Sequence, residues 1–107
     1  MSVLAGNFEV TVTVEDGRTV VHPRGALDVA TSGDFRERLN ELIAAGATDL
    51  AVNLKAVTFV DSAGLGVLIG TLKRLQSMDG RFAIFSPSRG VRKVLDLTGL
   101  SALVEVR

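Results

Sequence analysis

The chain has 107 residues, with 12 basic and 12 acidic side chains, a formal net charge of zero and 47% hydrophobic content. That length suits one domain with its own core, and the absence of cysteine excludes a disulfide framework or a thiolate metal site. Charge balance leaves no basic surplus for nucleic acid or an anionic bilayer, and the longest charge-free run, Ser62 to Leu72, is eleven residues against the roughly 20 that span a membrane.

Met1 to Phe8 shows no basic stretch ahead of an apolar run, so no leader peptide is expected, and a cytoplasmic location with it. Phe8, Val10, Val12 and Val14 alternate with polar residues, which predicts a half-buried strand. Asp16-Gly17 is a hairpin-turn pair, and Arg18 to Leu27 returns as a second strand whose Pro23 implies a bulge or an edge. Ser32 to Ala45 changes to helical period, with Phe35, Leu39, Leu42 and Ile43 on one face, an N-cap at Thr31 or Ser32 and Gly46 just past the end. Leu50 to Leu54 is a short buried strand, and Val57, Phe59 and Val60 lead into a turn. A second helix is predicted over Ala63 to Met78, its apolar face made of Leu65, Leu68, Ile69, Leu72, Leu75 and Met78. Phe82 to Phe85 is another buried strand; a third helix opens at Ser86-Pro87-Ser88, turns Val91, Val94 and Leu95 inward and ends at Gly99. Leu103, Val104 and Val106 suggest a last strand. The order β-β-α-β-α-β-α-β predicts an α/β fold: a mixed sheet, antiparallel at the opening hairpin and mostly parallel after it, with helices packed against it.

One segment reads as a site: Thr58-Phe59-Val60-Asp61-Ser62-Ala63-Gly64-Leu65-Gly66, between a central strand and the most apolar helix. The carboxyl end of a strand is where α/β sheets tend to bind ligands and partners. Two glycines in a first helical turn cost roughly 1 kcal/mol each relative to alanine, which points to close backbone approach or low bulk. Ser62 is expected at the N-cap, and that alone would explain a serine there. A phosphate on Ser62 would also lie in the positive field of the helix start, facing free N–H donors, beside the charge of Asp61.

Asp61-Ser62-Ala63-Gly64-Leu65-Gly66 resembles the phosphorylation motif of the STAS family, in particular the bacterial anti-sigma factor antagonists. Gly25-Ala26-Leu27-Asp28 with Thr31-Ser32 resembles the family's second-strand end and first-helix start; Asn53-Leu54 through Phe59-Val60, and Val94-Leu95 with Thr98-Gly99-Leu100, extend the likeness over essentially the whole chain. The resemblance implies a non-enzymatic switch, a monomer or weak dimer, with no cofactor and no direct contact with nucleic acid. The unphosphorylated form would bind an anti-sigma factor, a serine kinase of the histidine-kinase-like ATPase class, and so free a sigma factor. The kinase would phosphorylate Ser62 and release the product, and a PP2C-type phosphatase would restore it. Asp28, Thr31 and Ser32 would form the docking surface with Asp61, Ser62, Ala63, Gly64, Leu65 and Gly66. Many relatives carry a second hydroxyl residue where this chain has Ala63, so Ser62 alone is left as the acceptor.

Other readings compete. The resemblance also covers STAS subunits of lipid-transport complexes, stressosome components and anion-transporter tails, the last disfavoured by the lack of a membrane segment. Gly64-x-Gly66-x-x-x-Gly70 suggests a small nucleotide-binding protein, but the spacing is one residue too long for the dinucleotide fingerprint and no P-loop lysine follows. Val60-Asp61-Ser62-Ala63-Gly64 lacks the first glycine of a nucleophile elbow, and the sole histidine, His22, precedes the serine. His22 therefore reads as a structural or surface strand residue.

Overall fold

The computed structural model describes residues 8–107; the Met1–Asn7 stretch, where no leader was expected, lies outside the described residues. Strand β1 (Glu9–Glu15) runs into β2 (Arg18–Leu27) through Asp16 and Gly17, whose φ values of 54° and 79° are both left-handed. Two consecutive positive φ angles match the twist of a tight hairpin, which is why Asp-Gly suits this turn. Helix α1 (Ser32–Ala44), strand β3 (Asp49–Asn53), strand β4 (Val57–Val60), helix α2 (Ser62–Ser77), strand β5 (Arg81–Phe85), helix α3 (Arg89–Thr98), a 3-10 turn (Leu100–Ala102) and strand β6 (Glu105–Val106) complete the chain.

The sheet order is β1-β2-β3-β5-β6, with β4 paired to β2 beside that path. Only β1–β2 is antiparallel; the β2–β3, β2–β4, β3–β5 and β5–β6 pairs are parallel, as the strand–helix alternation predicts. Side-chain alternation sends Val21, Leu50, Val52, Phe82 and Ile84 into the main core, where Phe35, Leu39 and Ile43 of α1 and Leu68, Leu72 and Leu75 of α2 meet them. Phe8 closes one end of this core, edge-on to Phe35 with ring centroids 6.3 Å apart. The opposite face aligns Val20, Ala51 and Ala83 in a buried row across three strands. There Arg18 is bonded to Asp49 at 2.7 Å and lies over the Phe85 ring.

Several expectations need correction. Val57–Val60 is a strand, not an approach to a turn: it continues the sheet alongside β2 after β3 has left it. Pro23 is buried in an interior strand rather than at an edge. It falls in the gap between β2's pairing with β3, which ends at Val21, and its pairing with β4, which starts at Gly25. The missing N–H therefore removes no bond on that side, and the expected bulge lies just beyond, between Gly25 and Ala26. Val14 and Met78, both placed on apolar faces, are 73% and 44% exposed. The last strand is only Glu105–Val106, because the 3-10 turn takes up the residues before it and leaves Leu103 exposed.

Candidate functional site

The carboxyl end of β2 and the start of α2 are joined by backbone. Asp61 donates its N–H to the Leu27 carbonyl at 3.0 Å, which fixes Asp61 in extended conformation, with φ −101° and ψ −170°. Its carboxylate then turns back to accept from Ala63 N at 2.8 Å and Gly64 N at 3.0 Å. Asp61, not Ser62, is thus the N-cap of α2, and Ser62 is the first helical residue. Two residues able to cap stand side by side in the sequence; the bond to Leu27 decides between them by holding Asp61 outside the helix.

This changes the electrostatics expected of the site. The donors that a phosphate on Ser62 would have faced are already held by Asp61 Oδ1. The Ser62 side chain is exposed and its hydroxyl makes no hydrogen bond among the described residues. It is an exposed hydroxyl on the surface, next to a carboxylate and at the positive end of a 16-residue helix.

The glycines of the motif differ in kind. A Cβ on Gly64 would lie 2.5 Å from the Leu27 carbonyl oxygen and 2.9 Å from the Leu27 Cβ. Gly64 is therefore buried by contact and sets how closely α2 approaches β2, the close backbone approach that its place in the first turn predicts. Gly66 is exposed, with nothing within 4 Å of an added Cβ, and so is Gly70.

Asp28, Thr31 and Ser32 occupy the adjoining loop between β2 and α1. The Asp28 carboxylate accepts from Ala30 N at 2.9 Å and Thr31 N at 3.2 Å, an Asx-type turn. The Thr31 hydroxyl donates to the Ala26 carbonyl at 2.7 Å and accepts from Asp28 N at 3.1 Å. Thr31 is the N-cap position of α1, but its hydroxyl is spent on β2 and caps nothing. Thr31 and Ser32 are each only 7% exposed, so these two, like Gly64, lie beneath the surface rather than on it. Asp28, Asp61, Ala63 and Leu65 are partly exposed; Ser62 and Gly66 are exposed. Sequence reasoning did not place Phe59 at this end of the molecule as a surface residue, yet it is 54% exposed three positions before Ser62.

His22 contacts Thr13 at 2.9 Å and Glu15 at 3.4 Å across the hairpin, as a strand residue would. Among the described residues, no helix is long and apolar enough to cross a membrane.

Known proteins with this pattern agree with the geometry. The STAS domain family model matches residues 9–107. An anti-sigma-B factor antagonist of Staphylococcus aureus strain NCTC 8325 is 35% identical over 100 residues, covering 94% of this chain and 93% of its own. The solved structure of an anti-sigma factor antagonist from Mycobacterium paratuberculosis superposes with a TM-score of 0.84 at 27% identity, over 92% of this chain and 84% of that one. The Bacillus cell fate determinant SpoIIAA, solved in its phosphorylated form, gives a TM-score of 0.71 at 28% identity, over 94% of this chain and 90% of that one.

Proposed function

This chain belongs to the STAS domain family, and we propose that it is an anti-sigma factor antagonist that works by partner switching at Ser62. The observation that carries the proposal is the free, exposed hydroxyl of Ser62 at the first position of α2, beside a cap already filled by Asp61. The relatives of similar length named as anti-sigma factor antagonists, and the phosphorylated state in which SpoIIAA has been solved, support the same reading.

The unphosphorylated surface is small and smooth: Ser62, Ala63, Leu65 and Gly66, with Asp28 on the neighbouring loop. It binds an anti-sigma factor, a serine kinase of the histidine-kinase-like ATPase class, and a sigma factor is released. The kinase phosphorylates Ser62. The new group adds about −1.5 to −2 charges next to Asp61, whose carboxylate cannot move away without freeing two N–H donors. Like charges are thereby crowded into a contact that must shed water to form, which raises the cost of binding and releases the product. A PP2C-type phosphatase resets the chain in a cytoplasmic cycle. The residues beneath the surface hold its shape: Gly64 sets the helix height, and Thr31 ties the loop to β2.

Calorimetric titration of the purified anti-sigma factor kinases of the source organism tests this. One of them binds the wild-type chain and Ser62→Ala, whereas Ser62→Asp and Ser62→Glu bind at least about tenfold more weakly. Equal affinity for alanine and aspartate at this position would refute the switch.

A further inference from the structure

The two edges of the β1-β2-β3-β5-β6 sheet are finished differently. Strand β6, at one edge, has only two residues, Glu105–Val106, and is followed by Arg107. Short length and charge are the usual means of keeping an edge from pairing with another chain. Strand β1, at the other edge, has seven residues, and its register against β2 runs unbroken from Glu9 opposite Arg24 to Glu15 opposite Arg18. It carries no lysine, no proline and no bulge, and every residue between its two glutamates is uncharged and β-branched.

The two-residue turn fixes which backbone groups of β1 are spent. Glu15 and Arg18 flank it and form the closing hydrogen-bonded pair, so Thr13, Thr11 and Glu9, each two residues further on, also bond to β2. The N–H and C=O groups of Val10, Val12 and Val14 therefore point outward, and none of them bonds to another backbone group among the described residues. Pro23 agrees with this parity: it stands opposite Val10, where an N–H on β2 would point away from β1. The valine side chains lie on the same face as Val21, the helix side of the sheet, but their cover thins along the strand: Val10 packs against the core and Val14 is 73% exposed.

The strand is also a palindrome about Val12, Glu-Val-Thr-Val-Thr-Val-Glu. We propose that β1 pairs with β1 of a second copy, antiparallel, on a twofold axis through Val12, so that one sheet runs through both chains. In that register Val12 faces Val12 of the second copy and Val10 faces Val14 of the second copy. These are the residues with outward backbone groups, so each pair exchanges two hydrogen bonds. Thr11 faces Thr13 of the second copy, and valine–valine and threonine–threonine are both favourable cross-strand pairs. At the ends Glu9 faces Glu15 of the second copy. Glu9 is bonded to Arg24 at 3.3 Å and Glu15 accepts from Thr13 at 2.6 Å, so neither carboxylate is unpartnered, but like charges opposite each other keep the pairing weak. A chain of zero net charge adds no long-range repulsion between copies. The pairing uses no residue of the Ser62 surface and stands or falls independently of the partner switch.

Sedimentation equilibrium of the purified chain up to millimolar concentration tests the pairing, and cross-linking tests its register. The wild type should show a reversible monomer–dimer equilibrium. Glu15→Lys turns both end pairs into opposite charges and should tighten the dimer about tenfold. Val14→Lys places a charge on the edge at an exposed position, so it should melt close to wild type and weaken the dimer at least about tenfold. The chain has no cysteine, so an introduced one is its only thiol. Val12→Cys lies on the twofold axis and should oxidise to a disulfide-linked dimer. Val14→Cys should not, because the antiparallel pairing holds the two copies of that position about 13 Å apart along the strands, beyond the reach of a disulfide. A wild type that stays monomeric at millimolar concentration would overturn the proposal. So would a Glu15→Lys dimer no tighter than wild type, a Val14→Lys dimer no weaker, or Val14→Cys cross-linking as readily as Val12→Cys.

Discussion

Two helix starts in this protein, those of α2 and α3, contain a serine and a glycine in nearly the same places and use them in opposite ways. At α3 the serine is the cap: Ser88 Oγ accepts from Val91 N at 3.2 Å, and a Cβ on the glycine that follows in the first turn, Gly90, would meet only open space. At α2 the cap is the aspartate before the serine, and the glycine in the first turn, Gly64, is pressed against Leu27. One serine is consumed by the backbone and the other is left free. The difference lies in the residue before: Asp61 has its N–H held by the Leu27 carbonyl, and so takes the position that Ser88 takes at α3. A hydroxyl becomes available for chemistry when its neighbour does the structural work.

Substitutions can break or sharpen this contrast, and their effects on stability, read from denaturant or thermal unfolding, should fall in a definite order. Gly64→Ala comes first. Its new Cβ would sit 2.5 Å from a backbone oxygen that cannot swing aside, so a loss of about 3 kcal/mol is expected. Gly90→Ala, with open space around it, should instead be neutral or gain up to about 1 kcal/mol from helix propensity. Next is Asp61→Ala, which frees two N–H donors and should cost about 1–2 kcal/mol. Ser88→Ala, freeing one, should cost about 1 kcal/mol. Smallest of the losses is that of Ser62→Ala, within about 0.5 kcal/mol, because the Ser62 side chain makes no hydrogen bond within the fold. A larger loss in Ser62→Ala than in Asp61→Ala would mean that the two helix starts are capped alike.

Much of this architecture could be read from the residues because local signals and tertiary context agree. Asp16-Gly17 forms the hairpin turn, and Gly46 and Gly99 both take positive φ where α1 and α3 end. Strand β4 was hidden for a physical reason. It has four residues, only Val57 and Val60 are buried, and so it lacks the alternation by which a half-buried strand is recognised. The capping of α2 was hidden because Asp61 and Ser62 have equal intrinsic preference for the position, and the deciding bond comes from Leu27, more than thirty residues earlier. Thr31 and Ser32 looked like surface hydroxyls; the β2–α1 loop folds them inward, where the Thr31 hydroxyl bridges two strand-end backbone groups.

The central claim is that Ser62 is the group whose modification controls the partner. Incubating the chain with its anti-sigma factor kinase and ATP, mapping the modified residue by mass spectrometry and titrating the product back against the same kinase addresses it directly. The account predicts one phosphate, on Ser62, and binding weakened at least about tenfold relative to the unmodified chain. Phosphate on another residue, or a Ser62-phosphorylated chain that binds as tightly as before, would contradict it.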